Sequence, residues 1–458
     1  MRNQRINHII SLALSTIVIM LSFIGCKSDN SEIAEKIVEG PHLSDLVETD
    51  TLVIYIQPNS EALERRRIDM FQKSSGVKVE VVRVDADSKT FAERVLNDVA
   101  GGGGPDIIFT DQMIALDLWK TAVNHGFLDL TEILAEDPDF HEEDYLDGVF
   151  ETGRYNGRQY TIPLSYQLRF AVSPAEMLKK LGFDWEKIDT MEDFLNEIVR
   201  LTPKAKDSYP SFKKMMAVHN YLFNLLWSSG VPLIDYESGK VLPDEKAFRE
   251  LLEAYKAYYT WDYDESTYGK GVWHPNEKVV LSGGQYTFWL PGNIENLASG
   301  LCIAREKDCE ICYQVIPDMT GNTTACVDTQ IAIRANAVNT LNAWKFVKYM
   351  LSDDAQEDQW ASLYYSLPIR KSAVMNRLRN QPAVTAAGTY DYANYAISEE
   401  EAEDIYNMLT DIDRFVPRLP QAPWEFVEET MLPFLQDEKS YNDCLKELKS
   451  KLTFYLSE

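Results

Sequence analysis

Apolar and polar positions follow two distinct rhythms between residues 51 and 111. "TLVIYI", Thr51–Ile56, is an unbroken apolar run that predicts a strand buried on both faces. Leu63, Ile68 and Phe71 then share a helical face, and Gly76 offers a left-handed cap, so a helix is expected up to that point. Val77, Val79 and Val81 alternate with Lys78 and Glu80 at the period of a half-buried strand. "DADS" supplies N-cap residues, after which Phe91, Val95, Leu96 and Val99 form a second helical stripe. The four glycines of "AGGGGPDIIFTD", 100–111, therefore close a helix and enter a third strand. Phosphate loops do the reverse, opening a helix after a strand, and no GxxxxGK[ST] pattern stands here, so the glycines read as a turn. The result is a β-α-β-α-β unit, the start of an α/β fold with an open, mostly parallel sheet.

Ligands of such sheets sit beyond the carboxyl ends of the strands. Gln57 and Asn59 follow the first strand, and Asp111 and Gln112 follow the third, which puts all four on one rim. Helix capping is the competing reading for Asn59 and Asp111.

The first segment stands apart from this pattern. Arg2 and Arg5 precede an apolar run over 9–24, which stops at Gly25-Cys26 and the polar "KSDN", the charge order of a secretory signal, 1–25. "FIGC" resembles a bacterial lipobox, with Phe23 where leucine is usual; it implies that Cys26 is lipidated and becomes the new N-terminus. An uncleaved anchor would need about 20 apolar residues to span, and plain secretion is the third route; all three export the chain. Residues 26–49 read as a flexible tether. No later run approaches spanning length, so the expected location is extracytoplasmic, lipid-anchored to the bacterial cell membrane.

Charge narrows the partners. With 72 Asp+Glu against 45 Lys+Arg and a net charge of -27, nucleic acid is disfavoured, since its binding needs clustered positive charge. A chain of 458 residues is also too long for one small core, so two domains are expected.

Several fragments, weak singly, are similar in order to one family. "LVIYI", "FQKSSGVKVEVV" and "AGGGGPDIIFTD" are followed by "FLDLTEIL", "GRQYTIPLSYQLRFAVSP", "EKVVLSGGQYTFWL", "NAWKFVKYMLSDDAQ" and "SLPIRKSA". Together they resemble the bacterial extracellular solute-binding proteins, the carbohydrate-type receptors of ATP-driven importers; Tyr286 stands where those proteins usually have tryptophan. The resemblance implies a two-lobe periplasmic-binding-protein-like fold of type II, each lobe a mixed sheet flanked by helices, joined by a multi-crossing hinge. It places one lobe at 50–163 and 329–365 and the other at 164–328 and 366–458. It further implies a monomer without cofactor or metal, which captures a small-molecule solute, a sugar or oligosaccharide, and delivers it to an ABC permease without catalysis. By the same resemblance, Tyr166 and Arg169 beside the first crossing, Tyr286 and Trp289, and Tyr364 and Tyr365 before the "LP" turn fall where ligand is contacted. Trp227 in "WSSGVPLID" and Trp273 in "GKGVWHP" are candidates with packing as the alternative. Such residues suit a saccharide, whose C–H face packs on aromatic rings while its hydroxyls need paired donors and acceptors.

The chain departs from the family in "LCIAREKDCEIC", which adds cysteines ahead of "YQVIP". Cys302, Cys309, Cys312 and Cys326 are candidates for disulfides, with a four-thiolate zinc site or free thiols as alternatives. Enzyme motifs are lacking: there is no GxSxG or HExxH, and the SxxK at Ser211 has no KTG companion. Two facing carboxylates would suffice for glycoside cleavage, so a secreted glycan-cleaving lipoprotein is the alternative from another class. A receptor coupled to a membrane sensor is a third reading, and a peptide, polyamine or modified sugar a different ligand.

Overall fold

The computed structural model describes residues 40–57, 61–109, 116–216, 222–262, 286–358, 367–380, 384–385, 388–389 and 397–457. β1 (Thr51–Ile56), α1 (Glu61–Ser75), β2 (Lys78–Arg83), α2 (Ser88–Ala100) and β3 (Ile107–Phe109) follow one another as the periodicity predicts. β1 lies parallel to both β2 and β3. Its burial corrects the expectation: Leu52, Ile54 and Ile56 are buried, but Thr51, Val53 and Tyr55 are half-buried. An apolar run does not demand two covered faces, because apolar atoms make up much of any protein surface.

Local chemistry accounts for the helix ends. Asp87 caps α2, accepting from the Thr90 amide at 2.8 Å. The amides of Gly101, Gly102 and Gly103 donate to the carbonyls of Asn97, Val99 and Asp98, while Gly102 and Gly104 adopt φ of 81° and 95°. The glycine run is thus the C-terminal closure of α2, made in backbone that side chains rarely tolerate.

Further along come α3 (Leu118–Val123), β4 (Ile162–Leu168) and β5 (Phe170–Pro174), the last two separated by Arg169 alone. α4 (Met191–Ser208), β6 (Lys214–Met216), α5 (Leu222–Ser228), α6 (Glu245–Asp262), β7 (Tyr286–Phe288), α7 (Ile294–Glu306), β8 (Ile311–Val315) and β9 (Thr324–Ile333) follow. The chain ends with α8 (Thr340–Leu351), β10 (Leu367–Pro368), α9 (Lys371–Arg379), α10 (Glu399–Thr410), β11 (Arg414–Pro417), α11 (Gln421–Leu435) and α12 (Tyr441–Ser457). No helix among the described residues is long and apolar enough to cross a membrane.

A mixed sheet of seven strands runs β10-β4-β9-β3-β1-β2, with β11 also beside β9. β9 is buried along its whole length; one end pairs antiparallel with β3, the other parallel with β11. Elsewhere β5 pairs antiparallel with β8, and β6 parallel with β7. Val172 of β5 and Trp289 exchange both backbone hydrogen bonds, at 2.7 and 2.8 Å, and tie these two pairs together.

Three larger apolar cores occur among the described residues. The first gathers Leu52, Ile54, Phe109, Ile331 and Phe346 around the seven-stranded sheet; the second gathers Leu195, Ile198, Phe248, Phe288, Met431 and Leu448; the third gathers Val84, Phe91, Val95, Ile108, Leu116 and Tyr155. The segment from β10 to α10 adds Leu367, Val374, Ile405 and Leu409 to the first core, beside Trp289, Ile294 and Leu297, and β10 pairs with β4. Arg377 of α9 grips Glu295 of α7 through two hydrogen bonds of 2.9 and 2.8 Å, both side chains buried. The architecture is α/β in two lobes, with mixed sheets flanked by helices.

Candidate functional site

The second and third cores border a cavity of about 210 Å³. Asp117, Leu118, Trp119 and Tyr155 wall it from the first lobe, Trp227 and the turn 230–236 from the second, and the segment 414–420 completes it. Apolar and aromatic surface with a few polar groups is what small-molecule sites usually present.

Asp117 is the N-cap of α3, accepting from the Lys120 amide at 2.9 Å. The same carboxylate accepts from the hydroxyls of Tyr236 at 2.7 Å and Tyr455 at 2.6 Å. Trp119 stacks on Tyr236 with ring centroids 5.0 Å apart and planes 22° off parallel, and the Lys120 ammonium lies 3.8 Å above the Tyr455 ring. Burial, then the negative Asp117, push the Tyr236 hydroxyl far above its ordinary value, so it stays a neutral donor. These contacts form a clasp between the lobes.

On the opposite wall Trp227 ends α5, and the chain turns through Gly230 at φ 70°. Arg414 of β11 reaches back to that turn, donating to Asp318 at 2.9 Å and to the Gly230 carbonyl at 3.2 Å. Arg418 pairs with Asp328 at 3.2 Å. Arg169, at the junction of β4 and β5, sits beside Trp227 with its guanidinium 5.1 Å from the ring. Burial lowers its pKa to about 10, against a small opposing effect of Cys326.

The sequence candidates divide accordingly. Trp227 lines the cavity and Arg169 stands next to it. Tyr166 does not: it is fully buried within β4, and its hydroxyl donates to the Leu409 carbonyl at 2.6 Å. Its position on the sheet face that receives α10 makes it core. Tyr286 and Trp289 are buried in the first core, the Trp289 ring pressed against Gly300 of α7, and neither lines the cavity. Gln57 is buried at the end of β1. Asn59, Asp111, Gln112, Trp273, Tyr364, Tyr365 and Cys26 lie outside the described residues.

Among the described residues no disulfide joins Cys302, Cys309, Cys312, Cys326 or Cys444. Their surroundings differ. Cys302 packs with Ala298, Cys309 with Ile303 and Ala304, and Cys312 with the second core, while Cys326 is buried within β9. Burial raises the Cys302 thiol to about 11 and also raises Cys309, Cys312 and Cys326, so none is activated as a thiolate. No group of three or more His, Cys, Asp or Glu able to hold a metal occurs among the described residues.

Sequence reasoning missed Asp117, Trp119 and Tyr236. An Asp-x-Trp at a helix start was the available signal, but stacking on Tyr236, far away in the chain, is a tertiary fact.

Two α/β lobes, strands that cross between them, and a cavity where they meet define a binding protein of the hinge-closing periplasmic class. The chain belongs to the bacterial extracellular solute-binding protein family, whose sequence pattern matches residues 66–386. No curated protein matches it. Solved structures with the same fold include the sugar-binding protein MalE from Xanthomonas citri, with a TM-score of 0.63, 16% identity, and coverage of 89% of this chain and 97% of that one. An ABC transporter solute-binding protein from Thermotoga lettingae bound to alpha-D-tagatose is similar at TM-score 0.57 and 15% identity, over 89% and 100% of the two chains. The GacH receptor of Streptomyces glaucescens, solved unliganded and with acarbose, gives 0.58 and 16% over 89% and 98%.

Proposed function

We propose that this chain is an extracytoplasmic solute-binding lipoprotein that captures a sugar or short oligosaccharide between its lobes and hands it, unchanged, to an ABC permease. The observation that supports this most is the aromatic cavity bridging both lobes, walled by Trp119, Tyr155, Trp227 and Tyr236, since flat apolar rings suit the C–H face of a pyranose. The sugars named for the tagatose-bound and acarbose-bound relatives point the same way. Anchoring rests on "FIGC" at Cys26, and the two-lobe boundaries on the packing described above.

The test is thermal unfolding of the form beginning after Cys26, titrated with mono- and oligosaccharides and followed by analysis of each mixture for breakdown products. A ligand at 100 times its Kd adds about 2.7 kcal/mol of stability, and an upward shift with intact sugar is expected. Breakdown products would assign a glycan-cleaving enzyme instead, and no shift with any sugar would remove carbohydrate as the ligand class. Mass analysis of membrane-extracted protein should find an acylated Cys26 at the N-terminus.

A further inference from the structure

Arg169 is placed unlike the other arginines around the cleft. Arg414 is held by Asp318 and Arg418 by Asp328, and each of these pairs is neutral. The Arg169 guanidinium makes no hydrogen bond or ion pair with any described residue; its contacts are the face of Trp227 at 5.1 Å and the neutral, buried Cys326. Its backbone is fixed, because its carbonyl accepts from the Ile316 amide at 2.9 Å and it is the single residue between β4 and β5. A half-buried cation supported only by a ring is poorly compensated, since a cation–π contact supplies part of what a carboxylate would. A second donor is in the same state: the Trp119 indole N–H, on the cavity wall, is buried without a partner. Nearby acceptors are already engaged, Asp117 by two phenols and Asp328 by Arg418. The site therefore offers donors and one uncompensated positive charge beside an aromatic wall.

The geometry points to an acidic saccharide as the ligand, a sugar whose carboxylate is received by Arg169 while its ring packs against the neighbouring aromatic side chains. The planar guanidinium matches a carboxylate through two parallel N–H···O bonds, which a neutral hydroxyl cannot reproduce. This rests on the sugar-receptor reading and specifies its ligand class.

The experiment is calorimetric titration of the form beginning after Cys26 with glucuronate, galacturonate and their short oligomers, each beside its neutral counterpart, glucose or galactose and the matching neutral oligomers. Wild type and Arg169→Gln are compared, with ligand-free Tm recorded for both and for Arg169→Met. Expected are tighter binding of a uronate than of its neutral counterpart, and a loss of roughly a hundredfold in uronate affinity in Arg169→Gln, the scale of breaking a buried charge pair. The neutral counterpart should keep its weaker affinity in that variant. Ligand-free Tm should hold or rise in Arg169→Gln and Arg169→Met, because an uncompensated charge is removed; a fall in both would make Arg169 a structural residue and overturn the inference. Neutral sugars binding as tightly as uronates, or Arg169→Gln weakening both alike, would overturn it while leaving the sugar receptor standing. No binding by any of these sugars would overturn the inference, and the wider saccharide screen described above would decide the receptor reading separately.

Discussion

Gly230 joins backbone conformation to the site more directly than any other residue in the cavity wall. Its φ of 70° lies in the left-handed region, and a Cβ there would overlap the Arg414 guanidinium and the Asp318 carboxylate. Asp318 is fully buried and also accepts from Thr320 and Asn322, so it has no room to yield. Gly230→Ala is expected to lose about 2–4 kcal/mol through backbone strain and a disrupted ion pair; a urea midpoint equal to wild type would refute this account of the turn. Asp137 offers a pH test. Burial pushes its carboxyl up, but the Trp344 indole at 2.6 Å, the Asp139 amide and Lys348 outweigh that and hold it below the usual carboxylate range. A depressed folded pKa stabilises above the unfolded value of about 3.9 and is lost as pH falls through the folded one. Asp137→Asn should therefore lower Tm at pH 7 yet flatten its decline below about pH 4, and parallel Tm curves against pH would contradict the assignment.

Between elements, the informative contact is the clasp of α3 with the turn at Tyr236 and with α12. α3 has six residues, too short to be stable alone, and its place depends on Asp117 capping it while receiving two phenols. Removing both hydroxyls in Tyr236→Phe/Tyr455→Phe leaves the Asp117 carboxylate with its cap bond alone. If the pair contributes about 1–2 kcal/mol to closure, the open form gains population and apparent ligand affinity falls by about five- to thirtyfold. Small-angle scattering of the ligand-free variant should show a larger radius of gyration. An unchanged radius and affinity would mean that the lobes are held by other contacts. β9 complements the clasp: pairing with β3 at one end and β11 at the other, it carries backbone hydrogen bonding through the junction.

At the scale of the molecule, the order of apolar runs was enough to place β1 to β3 and to read the glycines as a helix end, while chain length and the family resemblance suggested two lobes. It did not reveal that the two-residue β10 pairs with β4, far away in the chain. The cysteines illustrate the same limit. Close spacing in "LCIAREKDCEIC" suggested bonding, yet helix, loop and strand send the thiols into separate packing environments.

For the site, the resemblance to the family marked Arg169, beside the first crossing, and Trp227, in a segment like the family's helix end and glycine turn. The same reasoning also selected Tyr166, Tyr286 and Trp289, which are core, since an aromatic ring next to a strand looks alike in sequence whether its face meets a ligand or another helix. What the sequence by itself determined is the α/β rhythm and the family, both written in local order and period. What only the tertiary structure decided is which side chains converge: Asp117 with Tyr236 and Tyr455, Arg414 with Gly230, and Arg169 left without a carboxylate among the described residues. Those outcomes depend on distances between residues tens to hundreds of positions apart, set by how the sheets pair and the cores close, and no local pattern encodes them.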